Sequence, residues 1–370
     1  MKEGRVVLNI SSKDKITTSQ AVVFLINFIV ATGILTLPRT SVEKVKTPDV
    51  WITAIISGLI MVIIGIIIVK LSQHFPGKTF YQYSQEILGK WVGWFLSLLI
   101  ILYFIVAASF QVRSMAEVTS IFLLEGTPTW AIIMPFMWIS LYLITGGVNS
   151  IARLFEIIFP ITIFFFLLVL FLSFKLFELK NLRPVLGFGV MPVLKGIQAT
   201  TLAYTGPEIV LILVAFLKQP NKAVKVILIG TLIPMIFYVL TVIMVIGALS
   251  IDGVVTRTWP TLELIRSFEI PGLFFERFES FLLGIWIMQM FATYTVSFFA
   301  AALGLAQLFQ KKMNKSLYIL LPVIYLISMA PKTINDLFKI GDLIGQAMWV
   351  LFGIMPLLLL LIIKLRGGKT

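Results

Sequence analysis

Apolar residues run through this chain in blocks of bilayer length, and the polar residues are gathered into short connections between them. Runs such as Trp51 to Val69 and Trp349 to Ile363 approach the ~20 residues that cross ~30 Å of hydrocarbon as a helix. Counted this way, the pattern predicts about ten transmembrane helices: 17–41, 49–70, 92–113, 129–147, 152–177, 191–217, 223–250, 279–309, 316–331 and 337–363. An even number places both termini on one side of the membrane.

Two of these blocks are interrupted near their middles. LAYTGPEIVLI, Leu202 to Ile212, sets Gly206, Pro207 and Glu208 inside an apolar run. A carboxylate facing lipid at the centre of a helix costs at least ~2.5 kcal/mol, so Glu208 is expected to face protein or a watery cavity. Pro207 removes an amide donor and Gly206 offers no resistance to unwinding, so the sixth helix should break there. Thr205 to Glu208 has the spacing of a capping box, in which Thr205 would accept from the Glu208 amide and Glu208 would reach back to the Thr205 amide. The other reading is that the freed carbonyls of Leu202, Ala203 and Tyr204, with Glu208, form part of a polar ligand site.

The first span, FLINFIVATGILTLPR, carries Ala31, Thr32 and Gly33 at a similar depth. Two interrupted spans, five helices apart, point to paired repeats with a binding site between them. Five crossings per unit make the second repeat inverted relative to the first. The expected fold is therefore an all-α integral membrane protein with a five-plus-five inverted repeat, helices one and six broken. It forms one transmembrane domain over 1–370, with repeats at about 17–177 and 191–363.

Composition agrees with lipid solvation. The 370 residues are 59% hydrophobic and 13% charged, with a mean hydropathy of +1.02, too little polar surface to cover a water-soluble globule. The net charge of +13 falls as clusters between apolar runs, which suits a membrane surface with anionic lipids rather than nucleic acid. There is no cysteine and one histidine, His74, expected as an ordinary interfacial residue; thiolate chemistry is excluded and a metal centre is not expected. No H-E-x-x-H, serine elbow or phosphate loop appears, so no enzyme and no cofactor are expected. The polar start MKEGRVVLNISSKDK has no signal-peptide pattern. The connections KQPNKAVK and QKKMNKS are rich in lysine without an acid, whereas the loop from Ser250 to Ser280 carries Asp252, Glu263, Glu269, Glu276 and Glu279, so both termini are expected to be cytoplasmic.

The third and eighth spans pass beside the two breaks in such an architecture. Tyr103, Ser109 and Gln111 interrupt the third, and Arg113 with Glu117 forms an i,i+4 pair expected to be an interfacial ion pair. Gln289, Thr293 and Ser297 recur every four residues in the eighth, a stripe that suits interhelical hydrogen bonding or a pathway. Glu156 is expected to pair with Arg153. The amphipathic segment FPGKTFYQYSQEILGKWVG, with Phe80, Tyr83, Ile87 and Leu88 at helical spacing, is expected to lie in the interface or dock a partner. Trp51, Trp91, Trp94, Trp130 and Trp259 fall near span ends, where such rings anchor.

Several of these segments carry a family resemblance. ATGILTLPR resembles the GxGI segment of the amino acid, polyamine and organocation permeases, with Ala31 where those have a first glycine. The loop HFPGKTFYQYSQEILGKWVG, TLAYTGPE and the polar N-terminus ending in ISSKDKITTSQ are similar to the B subunits of nutrient germinant receptors of spore-forming bacteria, over essentially the whole chain. The resemblance implies a LeuT-like fold and a subunit of the spore inner membrane that senses a small nutrient such as an amino acid, alongside a membrane-associated A subunit and a lipoprotein C subunit. An ion- or proton-coupled amino acid permease is the alternative on the same fold. Either reading places a ligand among Ala31, Thr32, Gly33, Tyr103, Ala203, Tyr204, Thr205, Gly206, Glu208, Gln289 and Thr293.

Overall fold

The computed structural model describes residues 14–267 and 278–366, and for residues 32 and 278–281 the backbone alone. The N-terminal run, Glu269, Glu276, the last residues and the side chain of Glu279 lie outside the described residues.

Each expected span falls on helix. The helices are α1 (Thr18–Ile29), α2 (Thr32–Val45), α3 (Val50–Gln73), α4 (Phe80–Leu88), α5 (Lys90–Phe122), α6 (Thr129–Thr145), α7 (Gly147–Ser173) and α8 (Met191–Thr200). They continue as α9 (Val210–Leu213), α10 (Ala223–Val255), α11 (Pro260–Arg266), α12 (Phe278–Leu308), α13 (Met313–Met329), α14 (Ile334–Met348) and α15 (Met355–Leu365). Six helical stretches are long and apolar enough to cross a membrane, α1 with α2 makes a seventh bent by 49°, and Thr129–Thr145, Pro207–Phe216 and Met313–Met329 are shorter apolar helices. Large apolar side chains such as Ile157, Phe164, Phe171, Leu326, Leu357 and Leu361 remain exposed on the outer helices, as lipid solvation requires.

α1 starts from a capping box: Gln20 N–H donates to Thr17 Oγ1 (3.2 Å) and Thr17 N–H to Gln20 Oε1 (3.0 Å). It stops where Val30 and Ala31 leave helical geometry, and α2 resumes at Thr32. The sixth span is α8, a non-helical stretch through Thr205, then a 3-10 turn over Pro207–Ile209 leading into α9. Gly206 sits there at φ +147°, backbone that a side chain would strain. Ile16 N–H donates to Phe216 O (2.8 Å) and Lys218 N–H to Ile16 O (2.9 Å), so the start of the first span and the end of the sixth share one end of the bundle. The two broken spans therefore run in opposite directions.

Several details differ from the sequence reading. The face of α4 bearing Phe80, Tyr83 and Ile87 is buried within the chain: Tyr83 stacks on Phe75 at 4.9 Å and its hydroxyl meets Ser72 Oγ at 3.1 Å. An amphipathic pattern cannot say whether its apolar face meets lipid, a partner or the rest of the chain, and here it meets the chain. Glu156 accepts from Gln20 Nε2 (3.3 Å) across to α1 and makes no ion pair with Arg153 among the described residues. Trp259 is buried against Phe338 at 5.9 Å rather than set at a lipid surface. Arg113 does pair with Glu117, at 2.8 Å. His74 is at the end of α3, with Nδ1 2.7 Å from Lys70 O.

Candidate functional site

The two breaks face each other. A Cβ on Gly33 would stand 2.5 Å from the phenol oxygen of Tyr238 and 3.0 Å from Ala203 Cα; one on Gly206 would stand 2.3 Å from Ile29 Cγ1. Each broken span thus places a glycine against the other's backbone or side chains, and a larger residue at either would have to push its neighbours aside. The Tyr238 hydroxyl, from α10, lies 2.7 Å from Ile29 O and 2.8 Å from Ala203 O, so one proton serves both breaks.

Other carbonyls of the first span meet side chains from α11 and α12. Thr293 Oγ1 donates to Phe28 O (2.7 Å), Trp286 Nε1 to Ala31 O (3.1 Å) and Thr261 Oγ1 to Ile34 O (2.9 Å). One turn before Thr293, Gln289 Nε2 donates to Asn27 Oδ1 (2.9 Å) and Thr162 Oγ1 (2.5 Å), tying α12 to α1 and α7. Two members of the polar stripe of α12, Gln289 and Thr293, therefore face the broken first span, and the third, Ser297, lines the cavity between the breaks. Unpaired backbone at membrane depth is expensive, and these bonds account for how the break persists.

Glu208 is 1% exposed. Its Oε1 accepts from the phenol of Tyr103 on α5 at 2.9 Å, and its Oε2 from the Gly206 amide at 2.6 Å. The expected capping box is not formed. Thr205 Oγ1 donates backward to Leu202 O (2.8 Å), and the helical turn begins after Gly206 instead of Thr205, one residue out of register with the box. The carboxylate reaches the amide two residues earlier because the Gly206 backbone turns through a region closed to other residues.

Around these groups lies a cavity of about 30 Å³. Of the residues expected to meet a ligand, Ala31, Gly33, Tyr103, Ala203, Thr205, Glu208 and Thr293 line it. Tyr204 points elsewhere: its hydroxyl donates to Ala54 O (2.7 Å) and secures the sixth span to α3. Gly206 and Gln289 stand behind the wall, the first as the turn that aims Glu208 and the second as the strut to Asn27. Thr32 begins α2, and its side chain lies outside the described residues. Sequence reasoning missed Tyr238, Asn27 and the apolar wall of Phe28, Phe104, Phe110 and Ile344. Phe352 adds a ring 4.8 Å from Tyr103, from a wide helical segment over Trp349–Ile354 in the last span.

Two antiparallel broken helices, each opening its backbone toward the other and roofed by side chains of the third and eighth spans, define a multi-pass membrane protein of the LeuT-like transporter fold. Solved structures share it: MhsT in complex with L-phenylalanine, with a TM-score of 0.72 at 12% identity over 95% of this chain and 89% of that one, and Mhp1, a nucleobase-cation-symport-1 family transporter in a closed conformation with bromovinylhydantoin bound, with 0.67 at 14% over 93% and 78%. Within that fold the sequence is more specific. The family model described as spore germination protein, the spore permeases, matches residues 15–337. Spore germination protein YndE of Bacillus subtilis (strain 168) is 55% identical over 356 residues, 96% of this chain and 98% of its own; spore germination proteins A2 and B2 of the same strain are 38% and 36% identical over 96% and 93% of this chain and 97% and 94% of theirs. The chain belongs to the spore germination protein family.

Proposed function

We propose that this protein is the nutrient-binding B-type subunit of a spore germination receptor, with two inverted repeats at about 17–177 and 191–363 and a small-molecule site between their broken first helices. The carrying observation is the buried group of Glu208, Tyr103 and the two backbone breaks. It combines a buried carboxylate with turned backbone at a glycine-thin contact, the arrangement that secondary transporters use to hold a small polar ligand. An amino acid is the proposed ligand: Glu208 offers a partner for an ammonium group, and the amides at the start of α2 face a carboxylate's charge preference. The cavity holds about two water molecules, so a nutrient enters by widening the contact between the breaks. Ligand binding thereby has a differential effect on two states of the protein, which is what a sensor requires. Partnership with receptor A and C subunits, residence in the spore inner membrane and cytoplasmic termini accompany this reading, supported by the likeness to the germination proteins.

The second reading, a proton- or ion-coupled amino acid permease, rests on the same buried carboxylate. Purified protein in sealed liposomes, titrated with amino acids and sugars while thermal shift and labelled uptake are recorded together, separates the two. Binding that Gly33→Trp abolishes, with no uptake above empty vesicles, is the expected outcome. Concentrative uptake abolished by Glu208→Gln makes the protein a transporter, and no binding to any nutrient overturns both.

A further inference from the structure

A second cavity, of about 520 Å³, lies at the end of the bundle where the first span begins and the sixth ends, away from the breaks. One wall is the first turn of α1, with Thr17 and Thr18; the other is the connection into α10, with Lys218 and Lys222, and the first turn of α10, with Lys225. Three lysines share this space, none makes an ion pair among the described residues, and no acid lines it. All three are exposed, and like charges that share one cleft favour a bound anion. A further feature matches an anion. The Gln20 amide is held by Thr17 Oγ1, but the amides of Thr18 and Ser19 have no preceding carbonyl of their own helix to meet and lie at the positive end of its dipole. The volume is that of a site for a small organic molecule, larger than a simple inorganic anion needs.

The geometry points to a binding site for a phosphate-bearing anion at this junction. The three lysines supply charge, and the first amides of α1, at Thr18 and Ser19, supply donors. Val22 and Ile229 extend the lining with apolar surface, which suits the glyceryl portion of a phospholipid, whereas a free phosphate would use the lysines alone. The site abuts the pair of hydrogen bonds between Ile16, Phe216 and Lys218. An occupant therefore braces the start of the first broken span against the end of the sixth.

The test uses the full-length protein, delipidated in neutral detergent. Short-chain phosphatidylglycerol, short-chain phosphatidylcholine and inorganic phosphate are titrated separately, with thermal shift and equilibrium binding as readouts. Saturable binding of phosphatidylglycerol over phosphatidylcholine assigns a lipid headgroup; equal binding of inorganic phosphate assigns a free anion; both support the site. The triple variant Lys218→Gln, Lys222→Gln, Lys225→Gln should bind about a hundredfold more weakly, from roughly fivefold per lysine, while the Lys→Arg triple retains binding. A control triple at Lys311, Lys312 and Lys315, changed to Gln, should bind as the original protein does. Binding unchanged in the first triple, equally weakened in the control, or absent for every anion overturns the assignment.

Discussion

The phenol of Tyr103 donates to the carboxylate of Glu208 across 2.9 Å, joining the third span to the break in the sixth. No other side chain donates to Glu208 among the described residues; the remaining donors are backbone amides, that of Gly206 and its own. Tyr103→Phe removes one donor and leaves a buried carboxylate short of a partner, at a cost of about 1–3 kcal/mol. The expected outcome is a lower Tm together with weaker nutrient binding. A Tm unchanged in this variant would show that the bond contributes nothing to stability.

Gly33 has no room for a side chain. In Gly33→Ala the added methyl must displace the Tyr238 ring or part the breaks, since 2.5 Å is far inside van der Waals contact. Overpacking of this kind costs about 1–3 kcal/mol. Shortening Tyr238 in the same chain, as Gly33→Ala with Tyr238→Phe, removes the oxygen that the methyl strikes. The double variant should therefore lose less stability than the sum of the two single changes, measured by thermal unfolding in detergent.

Gln289 stands behind the cavity wall rather than on it. Gln289→Leu deprives Asn27 Oδ1 and Thr162 Oγ1 of their shared donor, with an expected loss of about 1–3 kcal/mol in stability. Selectivity among nutrients should stay as it is. Altered selectivity at constant Tm would place Gln289 against the ligand and contradict the geometry.

Asp49, fully buried before α3, accepts the Leu186 amide (2.8 Å) on one oxygen and the Thr47 hydroxyl (3.0 Å) on the other. It holds the connection between the fifth and sixth spans to the body of the bundle. Asp49→Ala should release that connection and speed tryptic cleavage at the exposed Lys175 and Lys180, read by mass spectrometry of the fragments. Cleavage at the original rate would mean that other contacts suffice to hold it.

The breaks were legible because they depend on local chemistry: Gly206, Pro207 and Glu208 are poor company for an unbroken apolar helix, and Ala31 to Gly33 repeat the disturbance at matching depth. Tyr103 and Thr293 were legible as polar positions on spans that the architecture sets beside those breaks. Tyr238 was not, because a tyrosine in an apolar run carries no period, and its role arises from two carbonyls 209 and 35 residues away in the chain. Asn27 was hidden for the same reason, since its partners Phe155 and Gln289 come from α7 and α12. The buried face of α4 failed differently: amphipathic spacing identifies an apolar face, but not what covers it.

The Tyr238 hydroxyl has one proton and two acceptors within 2.8 Å. At any instant one carbonyl holds that proton and the other makes do with a weaker, bent approach. If either half-span withdraws, the phenol can turn wholly to the one that stays, so separation forfeits less than a full hydrogen bond. The contact is thus a fastening without preference: it keeps the two halves together at rest, yet sets little toll on which of them leaves first.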